Sequence, residues 1–323
     1  MVSKDNKNLR NITTEDTECH RGKRNFLIKS SVLLRVTPWL ILLLVISCKT
    51  VPTVPDVFLE ENRFIPLNRG ASVYLMVNVK EARSILEHLP IEELKDSQVA
   101  QMMDRTDYAV VALFPEESGQ YFQIAAWGNY PSSRAGMAFS FNRNWKKQSS
   151  LKGESYWYSN ASGLSMVVEQ RQVFAAASLL DGVPFEPVAS APGVEIPEGF
   201  NDFRHENSGL PSSVYGWVDN PASMISQIMA GLPIQFPVKE LFLNLFVVDE
   251  NQYEAKIRLQ FENATQARGM AAIINLARNF APDDPVSVIF FANSPVQNGA
   301  SIDITSSSLN QSELSLLLEM FLL

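Results

Sequence analysis

A short apolar run, Leu42-Leu43-Leu44-Val45-Ile46-Ser47, stops at Cys48 and constrains everything downstream of it. The run as a whole, residues 36–47, is 12 residues long and carries Pro38. A helix needs about 20 apolar residues to span a bilayer, so this one is too short to cross. Extended upstream, it would have to bury Arg35 and Lys29. Arg21, Lys23, Arg24, Lys29 and Arg35 precede it, and the small Ser47 closes it. A basic segment, a short greasy segment and a small residue are the build of an export leader. Residues 1–47 therefore read as a signal peptide, with an uncleaved anchor or plain secretion as the alternatives.

Val45-Ile46-Ser47-Cys48 resembles the lipobox of bacterial lipoproteins, with Val45 where Leu is more usual. The resemblance implies that Cys48 receives a thioether-linked diacylglyceryl group and becomes the new N-terminus. It also makes membrane lipid a partner through acylated Cys48. In that family an Asp after the cysteine retains the protein at the inner membrane. Lys49 at that position favours the outer membrane, on the periplasmic face of the cell envelope. Two or three acyl chains anchor a protein stably, whereas one holds it only marginally. Cysteine arithmetic agrees with the anchor. Cys19 and Cys48 are the only cysteines, so a chain cut before Cys48 has no internal disulfide. Its 276 residues must rely on a packed core.

Charge excludes one class of partner. The chain has 27 basic and 35 acidic residues, and residues 1–47 hold 8 and 4 of them, leaving 19 basic and 31 acidic. Such a protein does not bind nucleic acid through its overall charge, and repulsion by anionic headgroups makes apolar contact the expected mode of membrane contact beyond the anchor.

Residues 48–70 carry Pro52, Pro55 and Pro66 without periodicity and read as a lipidated N-terminus and tether. Two halves follow, at 71–188 and 213–323, joined by a linker at 189–212 rich in Pro, Gly and acidic residues. They share segments in the same order. Ser72-Val73-Tyr74-Leu75-Met76-Val77-Asn78 parallels Ser213-Val214-Tyr215-Gly216-Trp217-Val218-Asp219, and Arg143-Asn144-Trp145 parallels Arg278-Asn279-Phe280. This pattern points to an internal repeat. Each half reads as strand, helix, a hairpin of two strands, helix and further strands. The expected fold class is α+β, an α/β sandwich. It would consist of two related βαββαβ-like halves with mainly antiparallel sheet and helices packed on the sheet.

Two helices carry the candidate contact residues. Residues 264–280 place Met270, Ile273, Ile274 and Phe280 on one face. Residues 311–323, opened by Asn310 and Glu313 as a capping box, are apolar almost all round through Leu314, Leu317, Leu318 and Phe321. A helix of that kind is buried in its own core, docked on another protein or laid against lipid. The lipobox at Cys48 and the helices at 79–89, 264–280 and 311–323 together resemble the treponemal outer-membrane-associated lipoproteins. That resemblance implies an acylated α/β domain whose amphipathic helices dip into the inner leaflet.

No catalytic constellation is legible. His88 and His205 are the only histidines after Cys48, and His205-Glu206 lacks the second histidine of a zinc-protease motif. No metal, cofactor, phosphate loop or nucleophile elbow is expected. Glu116-Glu117 and Asp283-Asp284 read as solvated turn charges, and Tyr156-Trp157-Tyr158 as strand packing. The expected protein is non-enzymatic and contacts membrane lipid or a lipid-like ligand through its apolar helices. The alternative is a lipoprotein adaptor subunit docking on an envelope protein partner. Replacing Cys48 with Ser should abolish incorporation of labelled palmitate and move the protein from the membrane to the soluble fraction. Label retained on the Cys48→Ser variant would refute the lipobox assignment.

Overall fold

The computed structural model describes residues 63–88, 103–115, 120–160, 163–178, 184–189, 192–206, 212–219, 221–222, 225, 237–249, 251–278 and 292–322. Among the described residues twelve strands form one antiparallel sheet. In chain order they are β1 (Val73–Asn78), β2 (Thr106–Leu113), β3 (Gln120–Gly128), β4 (Trp145–Ser149), β5 (Ser155–Ser159), β6 (Leu164–Val168) and β7 (Gln172–Ser178). They continue with β8 (Ser212–Asp219), β9 (Val238–Asp249), β10 (Gln252–Phe261), β11 (Val296–Asn298) and β12 (Ser301–Thr305). The spatial order is β11-β12-β10-β9-β8-β1-β2-β3-β7-β6-β5-β4. β1 and β8 pair with each other, and the sheet grows outward from that seam in both directions.

The register can be followed across the whole sheet on one face. Lys146, Tyr158, Ser165, Ala176, Gln123, Ala112, Tyr74, Trp217, Phe242, Arg258, Asp303 and Val296 stand opposite one another strand by strand. Because side chains alternate along a strand, each residue type in these strands chooses a face. Leu241, Leu243 and Leu245 join an aliphatic cluster on one side, and Phe242 joins an aromatic cluster on the other. Near the β4 end the aliphatic side continues as a separate cluster of Phe139, Trp145, Leu164 and Met166.

The helices among the described residues are α1 (Arg83–His88), α2 (Ser132–Phe141), α3 (Phe200–Glu206), α4 (Ala264–Arg278) and α5 (Gln311–Leu322). Two of the longer ones start where their caps dictate. Asn263 Oδ1 accepts from the N–H groups of Thr265 and Gln266 at 3.1 and 3.0 Å. At α5 the Glu313 N–H donates to Asn310 Oδ1 at 3.1 Å, and the Asn310 N–H donates back to Glu313 Oε2 at 2.7 Å. That reciprocal pair is a capping box.

The aromatic face is closed by residues 63–71 and by the described parts of a second strap, 184–189 and 192–206. Gln123, fully buried on β3, pins both of them. Its Oε1 accepts from the Asn68 N–H at 2.6 Å, and its Nε2 donates to Glu186 O at 3.1 Å. Phe64 stands edge-on to Trp217 at 4.6 Å, and Trp217 stacks on Tyr74 across the β1–β8 seam at 4.8 Å. Phe200 and Phe203 of α3 reach Phe242 at 5.5 and 5.9 Å.

The expected α/β sandwich of two βαββαβ-like halves is therefore corrected. One large antiparallel sheet with few helices takes its place, and α1 and α3 are only six and seven residues long. The reason lies in the connections. Strands joined by hairpins need no crossover helix, and β4 to β7 return on one another as a meander. β1 and β8 pair directly, so no boundary between two sheets exists for a helical layer to fill. Helix α3 falls within 189–212, a stretch whose Pro and Gly content suggested only loop.

The seam is tight. A Cβ at Gly216 would lie 2.1 Å from the Tyr74 carbonyl oxygen and 2.8 Å from Leu75 Cδ2. Gly216→Ala should cost roughly 2 kcal/mol through overpacking, seen as a lower urea midpoint at unchanged slope. An unaltered midpoint would contradict the close approach of β8 to β1.

Candidate functional site

The residues singled out in sequence converge on one part of the molecule. Helices α1, α4 and α5 gather over the β10–β12 half of the aliphatic face. Met270 and Ile274 on α4 are buried there, and Ile273 is half-buried against the same cluster. Leu314, Leu317 and Leu318 on α5 are buried beside them, and Phe321 falls in the last turn of that helix. Cys48 and Phe280 lie outside the described residues. The apolar faces of both helices thus meet the sheet in this conformation. Their spacing creates one ridge per helix, and the sheet supplies Ile257, Leu259, Ile302 and Ile304 to receive it.

The outward sides of the same helices are not uniformly polar. Leu276 on α4 is 60% exposed. Leu316 on α5 is half-buried and lines an open depression of ≈ 640 Å³ with Asn251, Asn310, Gln311, Ser312 and Ser315. Five of its six lining residues are polar, and it lies between the start of α5 and the β9–β10 turn.

On the opposite face Arg258 fixes α3 to the sheet. Its Nε donates to Asp303 Oδ1 at 2.5 Å and its Nη2 to Asp303 Oδ2 at 2.9 Å and to Glu206 Oε2 at 2.5 Å. The guanidinium also lies over the Phe203 ring at 5.1 Å. Desolvation works against the Arg258 charge, but the bonds to Asp303 and Glu206 outweigh it and hold the group more firmly protonated than usual. Burial pushes the phenols of Tyr74, Tyr130 and Tyr215 upward. Buried phenols of this kind stay neutral and do not exchange protons near neutral pH. Among the described residues no three His, Cys, Asp or Glu side chains are placed to hold a metal ion. Trp157 stacks on Phe139 at 5.3 Å, while Tyr156 and Tyr158 take the other face of β5, so the Tyr156-Trp157-Tyr158 run packs the sheet.

Sequence reasoning passed over three side chains at the β4 end. Phe141 and Met137 on α2 are 86% and 56% exposed, and Leu151 in the β4–β5 turn is 88% exposed. Periodicity could not flag them, because Met137 and Phe141 stand four apart as residues of a core-facing stripe would, and Leu151 is a single apolar residue in a turn.

With this geometry in hand, the chain can be set beside known proteins. A family model described as outer membrane-associated lipoprotein TP0453 matches residues 61–281, more than half of the chain. Solved crystal forms I, III and IV of TP0453 share the fold, with TM-scores of 0.54, 0.53 and 0.51. Their identities to this chain are 15%, 18% and 17%. The matches cover 81%, 78% and 77% of this chain and 98%, 97% and 93% of those chains. No curated protein matches the chain.

Arg258 joins α3 to β10 and β12 through charged hydrogen bonds. Arg258→Met should destabilise the fold by roughly 2 kcal/mol, the loss expected for bonds to charged groups. It should also raise amide exchange across residues 200–206. Unchanged exchange in α3 would mean that the aromatic contacts alone hold it.

Proposed function

This chain belongs to the TP0453 family of outer membrane-associated lipoproteins, and on that premise we propose an exported, lipid-anchored envelope protein that meets membrane lipid and catalyses nothing. In this reading acylated Cys48 supplies the permanent attachment. The apolar helices α4 and α5 supply a second contact beside the anchor.

The observation that carries the reading is the composition of α5. Leu314, Leu317 and Leu318 satisfy the core, yet the helix continues with Leu316, Met320, Phe321 and Leu322 within a single span. A helix that needs only one buried face does not require that many apolar residues. Leu276, exposed on α4, adds to the same side of the molecule. Exposed Leu276 and half-buried Leu316 can meet lipid without unfolding. The buried ones, Met270, Ile274, Leu314, Leu317 and Leu318, reach lipid only where a helix lifts from the sheet.

A second reading follows from that burial. With their main apolar faces already occupied by β10 and β12, α4 and α5 also suit an adaptor that docks on an envelope protein through its remaining surface.

The chain from Lys49 onward has no cysteine, so single labels can be placed cleanly. A nitroxide on Leu316→Cys, and another on Leu276→Cys, should lose mobility and gain oxygen accessibility when the unacylated protein meets phospholipid vesicles. Spectra unchanged by vesicles at both positions would refute lipid contact by these helices and leave the adaptor reading.

A further inference from the structure

The chain is acidic overall, but its charge is unevenly placed. Between Glu117 and Glu154 there is no acidic residue, and there are five basic ones, Arg134, Arg143, Lys146, Lys147 and Lys152. This acid-free stretch folds into the β4 edge of the sheet and the elements beside it. Arg143, Lys146 and Lys147 are exposed there. Lys146 and Lys147 are consecutive, so they point to opposite sides of the sheet and line both rims of its edge. Phe141 lies just before the strand and Leu151 just after it, at 86% and 88% exposure. A basic edge is thus flanked at both ends by large apolar side chains held out in solvent.

The turn that carries Leu151 is built to hold that position. The Gly153 N–H donates to Ser150 O at 2.9 Å, and Gly153 adopts a positive φ of 82° that closes the turn. The Leu151 N–H donates to Glu186 Oε1 at 2.8 Å, which fixes the backbone and leaves the side chain outward. Lys152 Nζ donates to Ala189 O at 2.6 Å, and the Ala189 N–H donates to Pro66 O at 2.7 Å. Those two bonds set the turn beside residue 66, where the segment arriving from Cys48 joins the fold. Residues 49–62 can reach roughly 50 Å when extended, so the anchor does not hold this edge away from the bilayer.

We propose that the β4 edge, with Lys146 and Lys147 between Phe141 and Leu151, is a docking surface for an anionic lipid bilayer. It rests on the lipid-contact reading above but places the first contact on a strand edge rather than on α4 or α5. The lysines pair with headgroup phosphates, and the two apolar tips enter the boundary of the acyl region. Charge selects this occupant over a second copy of the chain. Antiparallel pairing of two β4 edges would set Lys146 and Lys147 of one copy against those of the other, and like charges directly opposed are unfavourable.

The test uses residues 49–323, which include every described residue, and vesicles of neutral phosphatidylcholine with or without phosphatidylglycerol. The protein should co-sediment with the phosphatidylglycerol vesicles and release at high salt. Lys146→Glu with Lys147→Glu should weaken that binding by roughly tenfold or more, as should Phe141→Ser with Leu151→Ser. Circular dichroism should be unchanged, because all four side chains are exposed. If the wild type binds and both double variants bind equally well, this surface is wrong while the helix reading stands. If the wild type binds neither vesicle, both fall.

Discussion

The pairing of β1 with β8 is the contact on which the rest of the structure depends. It turns two stretches of chain that begin 139 residues apart, at Val73 and Ser212, into a single sheet. A sheet of that width exposes two broad faces, and each must be covered by something. Leu241, Leu243 and Leu245 call in α4 and α5 on one side, while Phe242 and Trp217 call in Phe64, Phe200 and Phe203 on the other. The stack of Tyr74 on Trp217 and the missing Cβ of Gly216 let β8 approach β1 closely enough for both coverings to meet across the seam.

Much of this was legible in the sequence, and the failures have physical causes. Runs of apolar, β-branched and aromatic residues placed β1, β2, β3, β5, β6, β7, β8, β10 and β12 within a residue or two, and β9 from residue 241, three residues after it begins. The capping box at Asn310 and Glu313 placed the start of α5. β4 was missed because Trp145 is its only buried residue, and an edge strand written Trp-Lys-Lys-Gln-Ser has no second apolar position to alternate with. Helix α3 was missed because its two buried residues, Phe200 and Phe203, sit in a stretch whose Pro and Gly content argues for a loop. The joining of the halves into one sheet was not legible, because pairing between β1 and β8 is a long-range choice that local periodicity does not encode. Of the candidate contact residues, the sequence found the apolar faces of α4 and α5. It could not distinguish a face that meets lipid from one that meets the sheet, since both ask for the same side chains.

The distribution of charge ties the fold to its setting. The acidic excess lies outside the stretch between Glu117 and Glu154, and that stretch lines one narrow end of the sheet. The two ends are therefore unlike. At β11 and β12, Asp303 is consumed by Arg258 and Asn298. At β4, Lys146 and Lys147 are turned to solvent beside exposed apolar tips. Membership in an outer membrane-associated lipoprotein family makes the membrane the natural surface for the second end to face. In the proposed first contact the sheet stands on its β4 edge, and α4 and α5, toward the opposite end, reach lipid only when the molecule tips from that edge.

Neutron reflectometry of the protein on a supported bilayer containing anionic lipid tests this orientation most directly. The twelve described strands, spaced about 4.8 Å apart, give a sheet roughly 50 Å across, so a molecule standing on β4 should form a protein layer at least about that thick. A layer of about 30 Å, the depth of a sheet covered on both faces, would show the sheet lying flat and would contradict the β4-edge contact.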